Sequence, residues 1–353
     1  MRVKSFIWRL LGFGVAGILL MVLLFVTSEQ EMHHNNAFIR RYPHHPIKKL
    51  FDFNLGYNSY YLAGFENDRL YLGNHTAPLH LLEVNLKTKD TTHIKIGLES
   101  KDIPFQSITV NVVPPYFFVM DGTVPCILRG YTRDWEARDW MKGEVYFTNA
   151  KAVDSVSIFI KTISSSNRQA ILGLLQYSNG FNTYLYPELL EKQMDGIFDV
   201  DGLLTMSPDF KSLGYSYYYR NEFMILDADL KSIQRMKTID TVSMAQITLS
   251  KISKTGEVKM TSPPLIINRT AAQFDAFMLI HSNRLGKYEQ SEMLEDAFII
   301  DVYNWEKERY EFSFYLYHFD TGKLKELKVF ESYLVALSGE KLSVNQIKSS
   351  VFK

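Results

Sequence analysis

His75 and His80 stand five residues apart across Pro78 in the stretch LGNHTAPLHLL, Leu72 to Leu82. Two imidazoles could hold zinc or a haem iron, but a proline corner between them turns their side chains apart. Two histidine pairs, His33–His34 and His44–His45, offer the same transition-metal chemistry. No cysteine or acidic partner completes a ligand set around them, so they read as incidental residues of a solvated stretch. Asp199 and Asp201 in FDVDGLL begin like a calcium loop, without its remaining ligands and terminal glutamate. The single cysteine, Cys126, excludes an internal disulfide and a cysteine-based metal cluster; in its apolar run it reads as a buried, inert thiol. A GxSxG elbow, a P-loop and a GxGxxG opening a helix are all missing. These residues lead us to expect no bound metal and no cofactor.

The composition is that of a folded protein. Of 353 residues, 46% are hydrophobic and 14% aromatic, too many for a disordered chain. That richness in Tyr and Phe favours strands. The formal net charge is zero, so nothing is available to neutralise a phosphate backbone, and nucleic acid is excluded as a partner.

The N-terminal residues 1–27 hold an uncharged apolar run from Leu10 to Val26 behind Arg2, Lys4 and Arg9. The run predicts a single transmembrane helix, its basic end cytoplasmic and the rest of the chain outside. A cleavable signal peptide, cut near Val26-Thr27-Ser28, is the alternative. Residues 28–45 are polar without apolar period and read as a linker.

From Pro46 to the end the chain reads as short strands separated by turns. RLYLGN, a corner HTAP, LHLLEVNL, a turn KTKD and THIKI form one copy of a unit. YFFVMDG, a corner TVP, CILRGYTRD and Ala137–Lys142 form a second. Proline suits such a corner because it has no ladder donor and fixes φ before the next strand. Further copies start at Ala170 (corner SNG), Leu213 (corner RN), Phe277 (corner 283–296) and Ser332 (corner GE), with residues 238–269 left over as an insertion. The last copy lacks a fourth strand, while PIKKLFDFN, Pro46 to Asn54, stands unpartnered before the first. Pairing the two closes a ring and hides two sheet edges. Deleting Pro46–Asn54 is then expected to destabilise the domain, and deleting residues 1–42 to leave it intact.

A four-stranded unit of this length, repeated and closed by its N-terminal strand, resembles the six-bladed β-propellers of the TolB-like and NHL-like kind, among them membrane-anchored bacterial propeller proteins. A seven-bladed ring, with the insertion counted as a blade, is the alternative. The resemblance covers residues 46–353. It implies an all-β domain whose corners between second and third strands surround one mouth of a central channel. There it would gather Asn74, His75, Asp121, Asn179, Arg220, Asn221, Ser282, Asn283, Arg284 and Glu340 as candidate ligand contacts. A metal-dependent, lactonase-like site would need Glu, Asn and Asp converging on one cation, and Glu66, Asp154, Asp199 and Asp275 are not placed by any repeated motif. The tyrosines of the cluster 215–219 would serve packing between blades. Two functions follow from the resemblance. One is a membrane-tethered, periplasmic binding module for a protein or peptide. The other is an extracytoplasmic enzyme, a hydrolase or an oxidoreductase, with its site at the mouth.

Overall fold

The computed structural model describes residues 2–32, 36–99, 103–251, 258–320 and 322–353. His33 and His34 lie outside them. Helix α1 (Arg2–Met32) takes in the apolar run, and its side chains described here, such as Trp8 and Phe13, are exposed. Among the residues described, no helix is long and apolar enough to cross a membrane.

The rest of the described chain is strands joined by loops, with one short helix. β1 (Ile47–Asn54) comes first. A meander follows of β2 (Tyr60–Glu66), β3 (Arg69–Asn74), β4 (His80–Asn85) and β5 (Thr91–Lys95), with the short β6 (Gly97–Leu98) after it. The next is β7 (Ile108–Val113), β8 (Tyr116–Asp121), β9 (Cys126–Tyr131) and β10 (Glu136–Lys142). β11 (Asn149–Ala152), β12 (Ser157–Ile163), β13 (Ala170–Tyr177) and β14 (Phe181–Tyr186) form a sheet, as do β15 (Gly202–Met206), β16 (Ser212–Tyr217), β17 (Glu222–Asp227) and β18 (Ile233–Lys237). The insertion carries a two-stranded hairpin, β19 (Leu249–Lys251) with β20 (Val258–Met260). Then come β21 (Thr270–Phe274), β22 (Phe277–His281), the one-turn helix α2 (Met293–Asp296), β23 (Ala297–Asn304) and β24 (Arg309–Tyr317). The chain ends with β25 (Leu324–Phe330), β26 (Tyr333–Ser338) and β27 (Lys341–Ile347).

The first strand of each meander lies against the next in the order β2, β7, β11, β15, β21, β25 and back to β2. β2 and β7 meet as a parallel bridge at Gly64 and Val112, joining their meanders into one nine-stranded sheet. Glycine is required there, since a Cβ on residue 64 would lie 2.2 Å from the Val112 carbonyl oxygen. The fold is therefore all-β and propeller-like. Its core is a set of seams between consecutive sheets, not one central mass. Phe117 and Tyr71 fill the seam between the first two meanders, Phe159 and Tyr215 that between β11–β14 and β15–β18, and Leu72 and Val344 that between the first and last sheets. Each such fully buried side chain contributes roughly 1.5–3 kcal/mol.

β1 closes the last sheet as expected, in the order β1-β27-β26-β25. It pairs antiparallel with β27 from Ile47 opposite Ile347 to Asn54 opposite Lys341. Its broken apolar period has a cause. A bulge between Lys49 and Phe51 leaves Leu50 without a partner in the ladder. Ile47 thus packs on the seam with β21–β24, while Phe51 and Phe53 pack on the opposite seam, with β2–β4.

Two expectations need correcting. In the third unit the corner SNG joins the third and fourth strands, β13 and β14, and not the second and third. Asn179 therefore sits at the end of the domain opposite the other corners. The polar stretch 36–45 is also not a free tether. Phe38 is buried, and the chain runs beside β24, where Ser313 N donates to Arg41 O at 2.8 Å. Arg40, buried, donates through Nε to Asp301 Oδ1 (2.6 Å) and through Nη2 to Asp301 Oδ2 (3.0 Å), and through Nη1 to Glu289 Oε2 (2.6 Å). Tyr42 stacks on Tyr315 with ring centroids 4.5 Å apart. Deleting residues 1–42 would remove these contacts and is therefore expected to destabilise the domain. Removing residues 1–35 is expected to leave the urea midpoint of the domain unchanged. Arg40→Ala, which strands the buried Asp301 carboxylate, is expected to cost about 3–5 kcal/mol in the same measurement.

Candidate functional site

In each meander the strands alternate in direction. The corners between second and third strands therefore lie at the same end as the connections from one sheet to the next. That end is a mouth of the channel enclosed by β2, β7, β11, β15, β21 and β25, a cavity of about 910 Å³. Of the candidates named for the mouth, His75 alone lines this cavity, its ring 4.6 Å from that of Tyr61.

Most of the others hold the corners together. Asn74 Oδ1 accepts from Thr76 N (2.9 Å) and Thr76 Oγ1 (2.8 Å). Asp121 is fully buried: Oδ1 accepts from Thr123 N (2.9 Å) and Val124 N (3.0 Å), and Oδ2 from Gln106 N (2.6 Å) and Ser107 N (2.7 Å). Burial alone would raise this carboxyl, but the backbone donors outweigh it and hold it below the usual carboxylate range. The repeated signal is thus Asn/Asp-x-Thr-x-Pro, with Asn74 and Asp121 folding the turn that Pro78 and Pro125 stiffen. The prolines mark the corners HTAP and TVP, but the Asn or Asp two positions before each threonine folds the turn.

Arg220 is buried with its guanidinium 3.6 Å from the centre of the Tyr217 ring; Nη1 donates to Glu191 O at 2.9 Å and Nε lies 3.0 Å from Glu222 Oε2. Asn221 Nδ2 donates to Asp240 O, and Arg284 Nε pairs with Asp240 Oδ2 at 2.5 Å while its Nη2 donates to Asn36. These side chains pin the insertion and the N-terminal segment to the corners. Asn283 is exposed beside a separate small pocket of about 140 Å³ that Arg269 and His281 also line. Asp199 accepts backbone N–H bonds from Met194 (2.7 Å) and Gly196 (2.6 Å), and Asp201 pairs with Lys161 at 2.6 Å, so the two do not form a calcium loop. Among the described residues no three His, Cys, Asp or Glu side chains group as a metal site. The Cys126 thiol is buried, and burial pushes it up to about 11. Tyr215 and Tyr217 are seam residues, as expected.

The channel holds a group that the candidates did not include. Lys151 on β11 and Lys328 on β25 both line it, with Glu326. Lys328 Nζ donates to Leu62 O at 2.7 Å, and Leu62 N donates to Glu326 Oε2 at 3.1 Å. Burial pushes both ammonium groups down. Lys328 reaches about 7, with the charge of Lys151 adding to the effect and Glu326 opposing it. Both side chains keep partial access to water inside the channel, so the energetic effect is smaller than for a dry interior.

Comparison with protein-family models and with curated proteins finds no match. Among solved structures, the chain is similar in its course to the β-propeller domain of Cps50 (Swd1) from Myceliophteria thermophila, at 9% identity and a TM-score of 0.45, over 86% of this chain and 100% of that one. It is similar to BamB from Moraxella catarrhalis at 10% identity and a TM-score of 0.44, over 85% and 100%. For virginiamycin B lyase from Staphylococcus aureus the figures are 12%, 0.42, 85% and 99%.

Lys328 makes the stability of the domain depend on pH. Its folded-state value, about 7, lies below the ordinary lysine value of 10.5, so between those limits the folded chain binds fewer protons than the unfolded one. Stability then rises with pH across that window, the full burial penalty being present below about 7. The melting temperature of the wild type minus that of Lys328→Met is expected to increase from pH 7 to pH 9. A difference constant over that range would show that Lys328 is charged in the channel throughout.

Proposed function

We propose that the protein is a six-bladed β-propeller, tethered by α1 to the bacterial cytoplasmic membrane with its domain on the periplasmic side, and that it binds a protein or peptide partner at the mouth face. The closed circuit of six first strands supports the blade count. The basic residues ahead of the apolar run support the tether and its orientation.

One observation carries the binding reading. Exposed large side chains collect at the mouth end: Tyr57 before β2 (66% exposed), Tyr146 before β11 (65%), Met194 before β15, Met244 in the insertion, and Tyr288 in the corner between β22 and β23 (68%). Tyrosine and methionine on a surface are what protein interfaces enrich, being apolar in bulk and adaptable at the tip. The opposite end is closed by short turns such as 67–68, 114–115 and 275–276. The corner residues Asn74, Asp121 and Asn221 at this end are engaged in the hydrogen bonds described above. Asn36 N donates to Leu285 O at 3.2 Å, which ties the N-terminal segment to this same end. From Met32 to Asn36 the chain spans at most about 14 Å, so the mouth rim lies close to the end of α1 and favours a partner at the membrane.

The reading is tested by cross-linking in cells with the full chain. A polypeptide captured by the wild type is expected to be lost from a Tyr57→Ser, Tyr146→Ser, Tyr288→Ser variant that melts like the wild type. Undiminished capture by that variant would move the interface elsewhere. Orientation is checked separately: protease added to right-side-out vesicles is expected to remove the domain, and complete protection would reverse the topology.

A further inference from the structure

A partner on the mouth face makes no use of the two lysines inside the channel. In the circuit of first strands, β11 and β25 stand three steps apart in either direction. Lys151 and Lys328 therefore enter from opposite walls, close enough for the charge of one to act on the other. Like charges facing across a partly desolvated space are unfavourable, and neither lysine serves the packing of a seam. Glu326 acts on both lysines with a single charge, and its Oε2 is already engaged by Leu62 N. The Lys328 ammonium is held by a single carbonyl, and the Lys151 ammonium has no hydrogen-bond partner among the described residues. With both amines protonated, two ammonium groups and one carboxylate leave this cluster one positive charge in excess.

We propose that the channel binds an oxyanion, the carboxylate or phosphate group of a small molecule, between Lys151 and Lys328. Opposed donors suit such a group, since each can reach a different oxygen of it. The anion would neutralise the excess charge and restore the ordinary affinity of both amines for protons, which burial now depresses. A cavity of about 910 Å³ is of the size that small-molecule sites occupy. Thr109, Asn111 and Gln273 line it as well, and the buried Gln273 Oε1 lacks a hydrogen-bond partner among the described residues. Polar contacts are thus available to the remainder of the molecule. The site is distinct from the partner face and stands or falls independently of it.

The test uses the full chain in detergent, with benzoate, citrate and inorganic phosphate as probes against chloride at equal ionic strength. Acylation of individual lysines by acetic anhydride at pH 7.5 is followed by mass spectrometry, and binding by calorimetry. Saturable protection of Lys151 and Lys328, with Lys95 on the outer strand β5, exposed and away from the channel, unprotected, is expected. Lys151→Met and Lys328→Met are each expected to weaken binding by about tenfold or more, the effect of one charge-assisted hydrogen bond, while Lys95→Met leaves it unchanged. Protection by benzoate or citrate alone assigns the clamp to carboxylates, and by phosphate alone to phosphate groups. No protection by any of the three, equal protection by chloride, or binding unchanged in Lys151→Met would overturn the proposal. Because protection is read in the wild type, a variant that fails to fold does not decide the matter.

Discussion

The ladder between β1 and β27 is the joint on which the ring depends. A set of sheets packed face to face around an axis buries each sheet only if both neighbours are present. The seam of Leu72, Leu82, Leu342 and Val344 exists because the chain's last strands come to rest against its first meander. β1 makes that return covalent, since a strand from the start of the domain completes a sheet made from its end. Its ladder spans seven paired positions, with hydrogen bonds worth roughly 0.5–1.5 kcal/mol each. The bulge at Leu50 belongs to the same joint. It turns Ile47 toward one neighbour and Phe51 and Phe53 toward the other, so that a single outer strand contributes to both flanking seams.

Much of this was legible in the sequence, for local reasons. Hairpins joined by Asn, Asp, Gly and Pro announce themselves, and the corners at Asn74–Pro78 and Asp121–Pro125 were recognisable because one turn chemistry recurs. The closing strand could be inferred from counting alone. The failure in the third unit also has a physical reason. β12, SIFIKTI, is buried along nearly its whole length and has no alternating pattern, so the unit was read one strand late and Asn179 was placed at the wrong end. The stretch 36–45 misled for the opposite reason. Arg, Tyr and His look like a solvated tether, and only the tertiary position of Asp301 and Glu289 turns Arg40 into an anchor.

The candidate site divides along the same line. Polar residues at corners were chosen because such corners surround the mouth, and apart from Asn179 they lie at that end. Yet a corner is where backbone donors and acceptors lose their ladder partners, and Asn74, Asp121 and Asn221 are occupied in satisfying them. A polar residue at a turn is explained by the turn, and it takes a further observation to make it a ligand contact. His75 has one, because its ring faces the cavity instead of the backbone.

Lys151 and Lys328 were invisible to sequence reasoning for a reason that belongs to ring architecture. A lysine in a strand reads as a residue on a solvated face, and nothing local distinguishes a face turned outward from one turned toward an axis. Only closure makes that distinction. Once first strands enclose a channel, residues that would be innocuous on an open sheet are set facing one another, at a separation fixed by the circuit of strands and not by their own neighbours in sequence. The β1–β27 joint therefore does more than protect an edge. By holding β25 against β2 and β21, it fixes the wall that carries Lys328 and Glu326 opposite the wall that carries Lys151. Any opening of the last sheet would separate the two amines, relax the charge between them and change the channel's capacity to hold an anion. Ring stability and the electrostatics of the channel are thus set by the same contact, some distance from the lysines themselves.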